Sequence, residues 1–185
     1  MKQNGPWRIR STKIVYKNPW ITVREDAVIR PDGKDGIYGV VSEPGGVSTL
    51  PIDDEDNVYL AEEFRYGVGR YSFETSSGGL EPGESQAAAA KRELQEELGI
   101  SATEWIPMGH VDPLTSVVVA PQHLFIARGL THSAPNHEGT EVIEKVKFTF
   151  DEAFAMVING KITHAPTCVL ILKAANYLEN ERGRG

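Results

Sequence analysis

The chain has 185 residues, 40% of them apolar and 24% charged, and a formal net charge of −7. That composition supports a sizeable core and excludes wholesale disorder; no run approaches the roughly 18 apolar residues of a membrane span, and an acidic chain lacks the basic face needed to track nucleic acid. A single cysteine, Cys168, excludes an intrachain disulfide, and the opening MKQNGPWRIR lacks the apolar core of a secretion signal, so the expected location is the cytoplasm.

Trp7 to Tyr16 and Trp20 to Arg30 are rich in β-branched and aromatic residues and read as strands around the turn Asn18-Pro19. Pro31-Asp32-Gly33 is a second turn, Ile37 to Ser42 a further strand, and Pro44-Gly45-Gly46 a break. Residues 1–45 therefore read as a small β extension and residues 46–185 as the main domain. Val47 to Pro51 and Val58 to Phe64 read as a strand pair around the acidic turn Asp53 to Asn57. Tyr71 to Glu74 is a short strand. Ser76-Ser77-Gly78-Gly79 and Pro82-Gly83 then read as a glycine-rich loop.

From about Ser85 to Leu98 the pattern is helical, with Ala87, Ala90, Lys91, Leu94 and Leu98 on one stripe and Gly99 as the stop. Strands are expected at Trp105 to His110, His123 to Ala127 and Ile143 to Thr149, and helices at Asp151 to Asn159 and Pro166 to Asn180. Helices and strands thus share one core, an α/β class.

Glu93, Glu96 and Glu97 lie at i, i+3 and i+4, so their carboxylates share one helical face, with Glu84 just before it. Like charges at that spacing repel, by roughly 0.2–0.5 kcal/mol per pair. Arg92 relieves only part of this; a hard divalent cation, Mg²⁺ above all, relieves more. A solvated acidic face is the plain alternative. The adjoining loop, where Gly78, Gly79 and Gly83 let backbone approach a ligand closely, favours a site.

Residues 78–100, GGLEPGESQAAAAKRELQEELGI, resemble the Nudix box, G-x5-E-x7-R-E-U-x-E-E-x-G-U with U aliphatic. Gly78, Glu84, Arg92, Glu93, Leu94, Glu96, Glu97, Gly99 and Ile100 all match, too many fixed positions for a chance match. The resemblance implies an α/β/α sandwich with a mixed sheet and hydrolysis of a nucleoside diphosphate linked to another group. It implies Glu84, Glu93, Glu96, Glu97 and the Ser77 carbonyl as ligands of Mg²⁺, for which Mn²⁺ can substitute, and Arg92 as the residue that orients the glutamates.

The flanks resemble the ADP-ribose and nucleoside diphosphate sugar pyrophosphatase branch. The matching pieces are Asn18-Pro19-Trp20 through Tyr38, Val58 through Arg65 to Glu74, Glu141 to Glu144, and Gly160-Lys161-Ile162. By that resemblance Arg65 contacts substrate phosphate or ribose, the alternative being an ion pair with Glu62 or Glu63. Glu74 and the Gly78-Gly79 backbone line the site, and Glu141, or else Glu138, is the catalytic base. The branch dimerises through its N-terminal strands, so a homodimer is expected, with Trp7, Tyr16 or Trp20 placed to stack on a base or to pack at the interface. Ser76-Ser77 stands where Pro-Ala is usual, and Val111 to Gln122 keeps Pro113 without the branch's glycine and acid. The substrate range is therefore ADP-ribose or related nucleoside diphosphate sugars, with nucleoside triphosphates or dinucleoside polyphosphates as an alternative and a non-catalytic nucleotide sensor as a third reading. The histidines show no zinc-like spacing.

Overall fold

The computed structural model describes residues 1–137, 139 and 142–183. In chain order the strands are β1 (Lys2–Asn4), β2 (Trp7–Lys17), β3 (Thr22–Ile29), β4 (Asp35–Ser42), β5 (Gly46–Pro51), β6 (Asn57–Arg65), β7 (Arg70–Glu74) and β8 (Ser76–Gly79). Helix α1 (Gln86–Leu98) follows, then β9 (Ile100–Val111), β10 (Val118–Val119), β11 (Gln122–His132) and β12 (Ile143–Thr149). Helices α2 (Phe150–Ile158) and α3 (Ala165–Arg182) end the chain. They fall into two compact units, residues 1–45 with 112–121, and residues 46–111 with 122–183.

The first unit is a five-stranded sheet in the order β1-β2-β3-β4-β10, antiparallel except for β10 against β4. Asn18 makes the β2–β3 turn, its Oδ1 accepting from the backbone N–H of Trp20 at 2.9 Å and of Ile21 at 2.7 Å. The Tyr38 hydroxyl donates to the Ser116 carbonyl, tying the 112–121 segment to β4. Most of β2 is exposed, and Ile14, Val15, Tyr16 and Ile37 present apolar surface to solvent, as does Trp20 at 73% exposure.

The second unit holds a mixed sheet, β8-β5-β11-β9, in which β5 and β11 run parallel, and an antiparallel sheet, β12-β6-β7. Side-chain alternation sorts the two faces. Leu50, Val58, Leu60, Leu124 and Ile126 pack with α2 and α3 residues such as Phe150, Leu170 and Ala174. Tyr59, Ala61 and Ala127 pack with Leu94 and Leu98 of α1, while Val47 and Phe125 pack with Ala89 and Ala90. Each large apolar side chain so buried contributes roughly 1.5–3 kcal/mol. The layering is the α/β/α sandwich expected from the sequence.

Three local expectations are corrected. β5 and β6 do not ladder as a strand pair; among the described residues their backbones pair just beyond β5, at an Ile52–Val58 bridge beside an Asp53–Asn57 turn bond. β5 is buried at every position and takes β8 and β11 on its two edges, leaving none for β6. The Ser76–Gly79 segment is not loop but β8, laddered onto β5. The buried stripe of α1 runs through Ala89, Ala90, Leu94, Glu97 and Leu98, with Ala87 and Lys91 exposed. Ser85 caps α1, its side chain accepting from the Ala88 N–H, and Gly99 ends it in the left-handed region at φ 60°. Among the described residues no helix is long and apolar enough to cross a membrane.

Candidate active site

The acidic residues at the front of α1 are organised by one guanidinium. Arg92 Nε and Nη2 donate to the two oxygens of Glu84 at 3.1 and 3.0 Å, a bidentate pair. Its Nη1 donates to Glu93 at 2.8 Å and to Glu96 at 3.0 Å, and Nη2 also reaches the Gly79 carbonyl at 3.1 Å. The mutual repulsion of three carboxylates is thereby offset, and the 79–84 loop is tied to the helix. The Arg92 hydrogen bond holds the Glu84 carboxyl below the usual range.

Glu97 lies on the inner side of the same helix, 6% exposed. It accepts from the Ser77 backbone N–H at 2.9 Å. Burial pushes its pKa up to about 8; the nearby Glu93 adds to the rise, while the Ser76 side chain, the Ser77 N–H and the charge of Arg65 pull the other way. A Cβ at Gly78 would overlap the Glu93 carboxyl as it now stands, so a side chain there would push Glu93 aside. The backbone of β8 therefore runs against the glutamates with nothing between. This all-oxygen donor set, with a glycine backbone pressed on Glu93, fits a hard divalent cation. Among the described residues no three acidic, histidine or cysteine side chains are yet converged on one point, because the oxygens of Glu84, Glu93 and Glu96 are turned onto Arg92.

A second charged group borders the first. Arg65, at the end of β6, donates from Nη2 to Glu74 Oε2 at 2.8 Å and from Nη1 to Glu63 Oε2 at 2.8 Å. The ion pair with Glu63, set out from the sequence as the alternative to a substrate contact, is present, and the pair with Glu74 was not foreseen. Glu74 is 4% exposed; burial alone would raise its pKa, but the Arg65 hydrogen bond, the nearby His164 ring and the charge of Arg65 hold it below the ordinary value. His164 and Thr167, at the start of α3, also reach this group. Neither was foreseen: they stand some 90 positions from Glu74 and Thr75, and only the fold brings them there. His137 Nε2 lies 2.8 Å from the Glu97 carbonyl.

Glu138 and Glu141, the expected bases, lie outside the described residues. Trp7 belongs to the first unit, edge-on to Tyr38 with ring centroids 5.4 Å apart, beside a cavity of about 270 Å³ that Arg24 and the buried Asp26 also line. Cys168 is half-buried, its thiol facing the Ile162 carbonyl.

The NUDIX domain model matches residues 43–167. The chain belongs to the Nudix family. A second model, the nucleoside diphosphate sugar hydrolase N-terminal domain, matches residues 7–41. This Nudix chain is 27% identical over 174 residues to the methanol dehydrogenase activator of Bacillus methanolicus, an alignment covering 91% of this chain and 90% of that protein. It is 27% identical over 165 residues to the ADP-ribose pyrophosphatase of Bacillus subtilis (strain 168), covering 85% and 86%. The Nudix fold is shared with the crystal structure of an ADP compounds hydrolase, at a TM-score of 0.85 and 21% identity over 98% of each chain. The chain is a Nudix hydrolase, and its resemblance is to the ADP-ribose pyrophosphatase branch.

Proposed function

We propose that the chain hydrolyses the diphosphate bond of ADP-ribose or a related nucleoside diphosphate sugar, releasing a nucleoside monophosphate and a sugar phosphate, with Mg²⁺ as cofactor and Mn²⁺ able to replace it. The observation that carries this is the juxtaposition, in one unit, of the Arg92-organised glutamates with Arg65 and Glu74. Glu84, Glu93, Glu96, Glu97 and the Ser77 carbonyl would hold the cation. When bound, the cation supplies charge neutralisation at the diphosphate and acidifies a water.

The rest is the work of the chain's own groups. Glu97 enters the reaction only as the carboxylate, so its proton must leave first. Arg92 keeps the glutamate face aligned, and Arg65, braced on two carboxylates, offers its remaining donors to a phosphate oxygen. Glu141, or else Glu138, takes the proton from the attacking water. Gly79 leaves room for the substrate beside β8, and Gly78 leaves room for the Glu93 carboxyl. The exposed apolar residues of β2 and β4 support a homodimer, and Trp7, beside its cavity, supports stacking on the nucleobase. We take residues 1–45 as the dimerising extension, residues 46–185 as the Nudix domain, and the cytoplasm as the site of action.

Incubation with ADP-ribose, other ADP-sugars, triphosphates and dinucleoside polyphosphates in Mg²⁺ tests this, with products read by ³¹P NMR. AMP and ribose 5-phosphate from ADP-ribose are expected. Turnover of triphosphates or dinucleotides with every ADP-sugar left intact would overturn the substrate class, and binding without turnover of any of them would make the chain a sensor.

A further inference from the structure

The charged group behind Arg65 ends on an imidazole. His164 stands at the N-cap of α3 yet makes no side-chain cap bond. Its ring is turned back, with Nδ1 2.9 Å from Thr167 Oγ1 and 3.5 Å from Glu74 Oε2. Thr167 Oγ1 in turn accepts the Thr75 backbone N–H at 2.9 Å and lies 3.1 Å from Thr75 Oγ1. Thr75 and Thr167 are both buried.

The neighbouring carboxylate selects the tautomer. A hydroxyl oxygen has two lone pairs and one proton. On Thr167 the first lone pair takes the Thr75 N–H. If the second takes His164 Nδ1–H, the Thr167 proton is free for Thr75 Oγ1, and the same Nδ1–H points its positive end at the Glu74 carboxylate. The other tautomer would satisfy Thr167 equally, with Thr75 Oγ1 donating to it, but would set a nitrogen lone pair 3.5 Å from a carboxylate oxygen. Glu74 Oε2 is also the atom that takes Arg65 Nη2 at 2.8 Å. Three residues further along the chain, the Ser77 N–H holds Glu97. His164 therefore fastens the start of α3 to the short segment that serves both Arg65 and Glu97.

We propose that His164, as its Nδ1–H tautomer, is a positioning residue that fixes Glu74 and through it aims Arg65 at the substrate diphosphate. This rests on the phosphate-binding role proposed above for Arg65. Burial keeps the ring neutral, lowering its pKa, with the Arg65 charge in the same direction and Glu74 opposing.

Two measurements test it. Long-range ¹H–¹⁵N correlation on histidine-labelled wild-type protein at pH 7 is expected to show the Nδ1–H form, the minor one in water; an Nε2–H ring overturns the proposal whatever the substrate proves to be. Steady-state kinetics on ADP-ribose then compare His164→Ala, His164→Asn, Arg65→Ala and the Ala/Ala double variant. His164→Ala is expected to raise KM about tenfold with kcat changed less than about threefold, the pattern of lost uniform binding. His164→Asn, whose amide N–H falls near Nδ1, should restore most of the loss. In the Arg65→Ala background, His164→Ala should move KM less than about twofold, as coupled residues do. The full tenfold effect in that background, or Asn no better than Ala, overturns the proposal. Absence of ADP-sugar turnover by the wild type would instead sink the function proposed above, and the tautomer would still decide the role of His164.

Discussion

Glu97 is held neutral by its surroundings and needed charged by its chemistry. Its pKa in the folded chain is about 8, chiefly through burial, against about 4.3 for an unfolded glutamate. Between those values the folded protein keeps a proton that the unfolded chain has lost. Stability from this group is therefore complete below about pH 4.3 and is lost as pH rises to 8. The metal-free protein should melt at progressively lower temperature from pH 5 to pH 8 in calorimetry with EDTA, and Glu97→Gln should flatten that slope; equal slopes would refute the assignment. Mg²⁺ binding requires the carboxylate and expels the proton, so its titration midpoint should fall as pH rises from 6 to 8. The same Glu97→Gln change, by removing a cation ligand, should cut kcat by about a hundredfold, while raising the melting temperature at pH 8.

Gly78 gives a second prediction at this scale. Because a Cβ would overlap the Glu93 carboxyl, Gly78→Ala must displace either β8 or Glu93. Activity should drop by at least about tenfold, as a displacement near 1 Å in a reacting site costs, with the far-ultraviolet circular dichroism unchanged. A fully active Gly78→Ala would mean that the strand yields freely. The box glutamates were legible in the sequence because their spacing alone puts them on one helical face. Glu97 as a buried residue was not, since a carboxylate is not counted when an apolar stripe is traced. His164 and Thr167 were not legible either: nothing local marks a polar residue whose partner is brought to it by packing.

At the scale of elements, α1 rests on two ends and one buried side. Ser85→Ala removes the bond to the Ala88 N–H and should cost about 1 kcal/mol in urea unfolding. Leu94→Ala, at a fully buried position between the helix and the sheets, should cost about 2–5 kcal/mol. A smaller loss from Leu94→Ala than from Ser85→Ala would contradict the packing described. Helix ends were readable because Ser85 and Gly99 have local jobs. Strand pairing was not. β5 and β6 lie close in sequence and are both apolar, but which edge each strand offers depends on β11 and β12, far down the chain. β8 was hidden for a different reason: Ser76-Ser77-Gly78-Gly79 has turn composition, and it is strand only because β5 gives it a ladder.

At the scale of the whole molecule, the exposed apolar residues of β2 and β4 set the expectation. Ile14, Val15, Tyr16 and Ile37 would be an aggregation hazard on a monomer. Sedimentation equilibrium should give twice the chain mass, and Ile14→Glu should shift it toward one chain with the glutamate site intact. A wild type that sediments as a monomer at micromolar concentration would refute the dimer. The sequence showed an extension at the N-terminus. It did not show that residues 112–121 fold with it, because that segment carries little local signal beyond Pro113 and is recruited by β4 through the Tyr38–Ser116 bond and the short β10 ladder.

The parallel pairing of β5 with β11 has a consequence for the order in which the protein is made. β11 supplies one whole edge of β5 and the strand that joins β5 to β9. A chain emerging from the ribosome shows every glutamate of α1 by residue 98 yet cannot complete the sheet beneath them until residue 132 is out. Closing so long a loop is slow. In that interval Leu94 and Leu98 have Tyr59 and Ala61 of β6 but not Ala127 of β11 to cover them, and the acidic face has only Arg92 to quiet it. Synthesis itself thus imposes an interval in which the helix that defines the enzyme is its most vulnerable part.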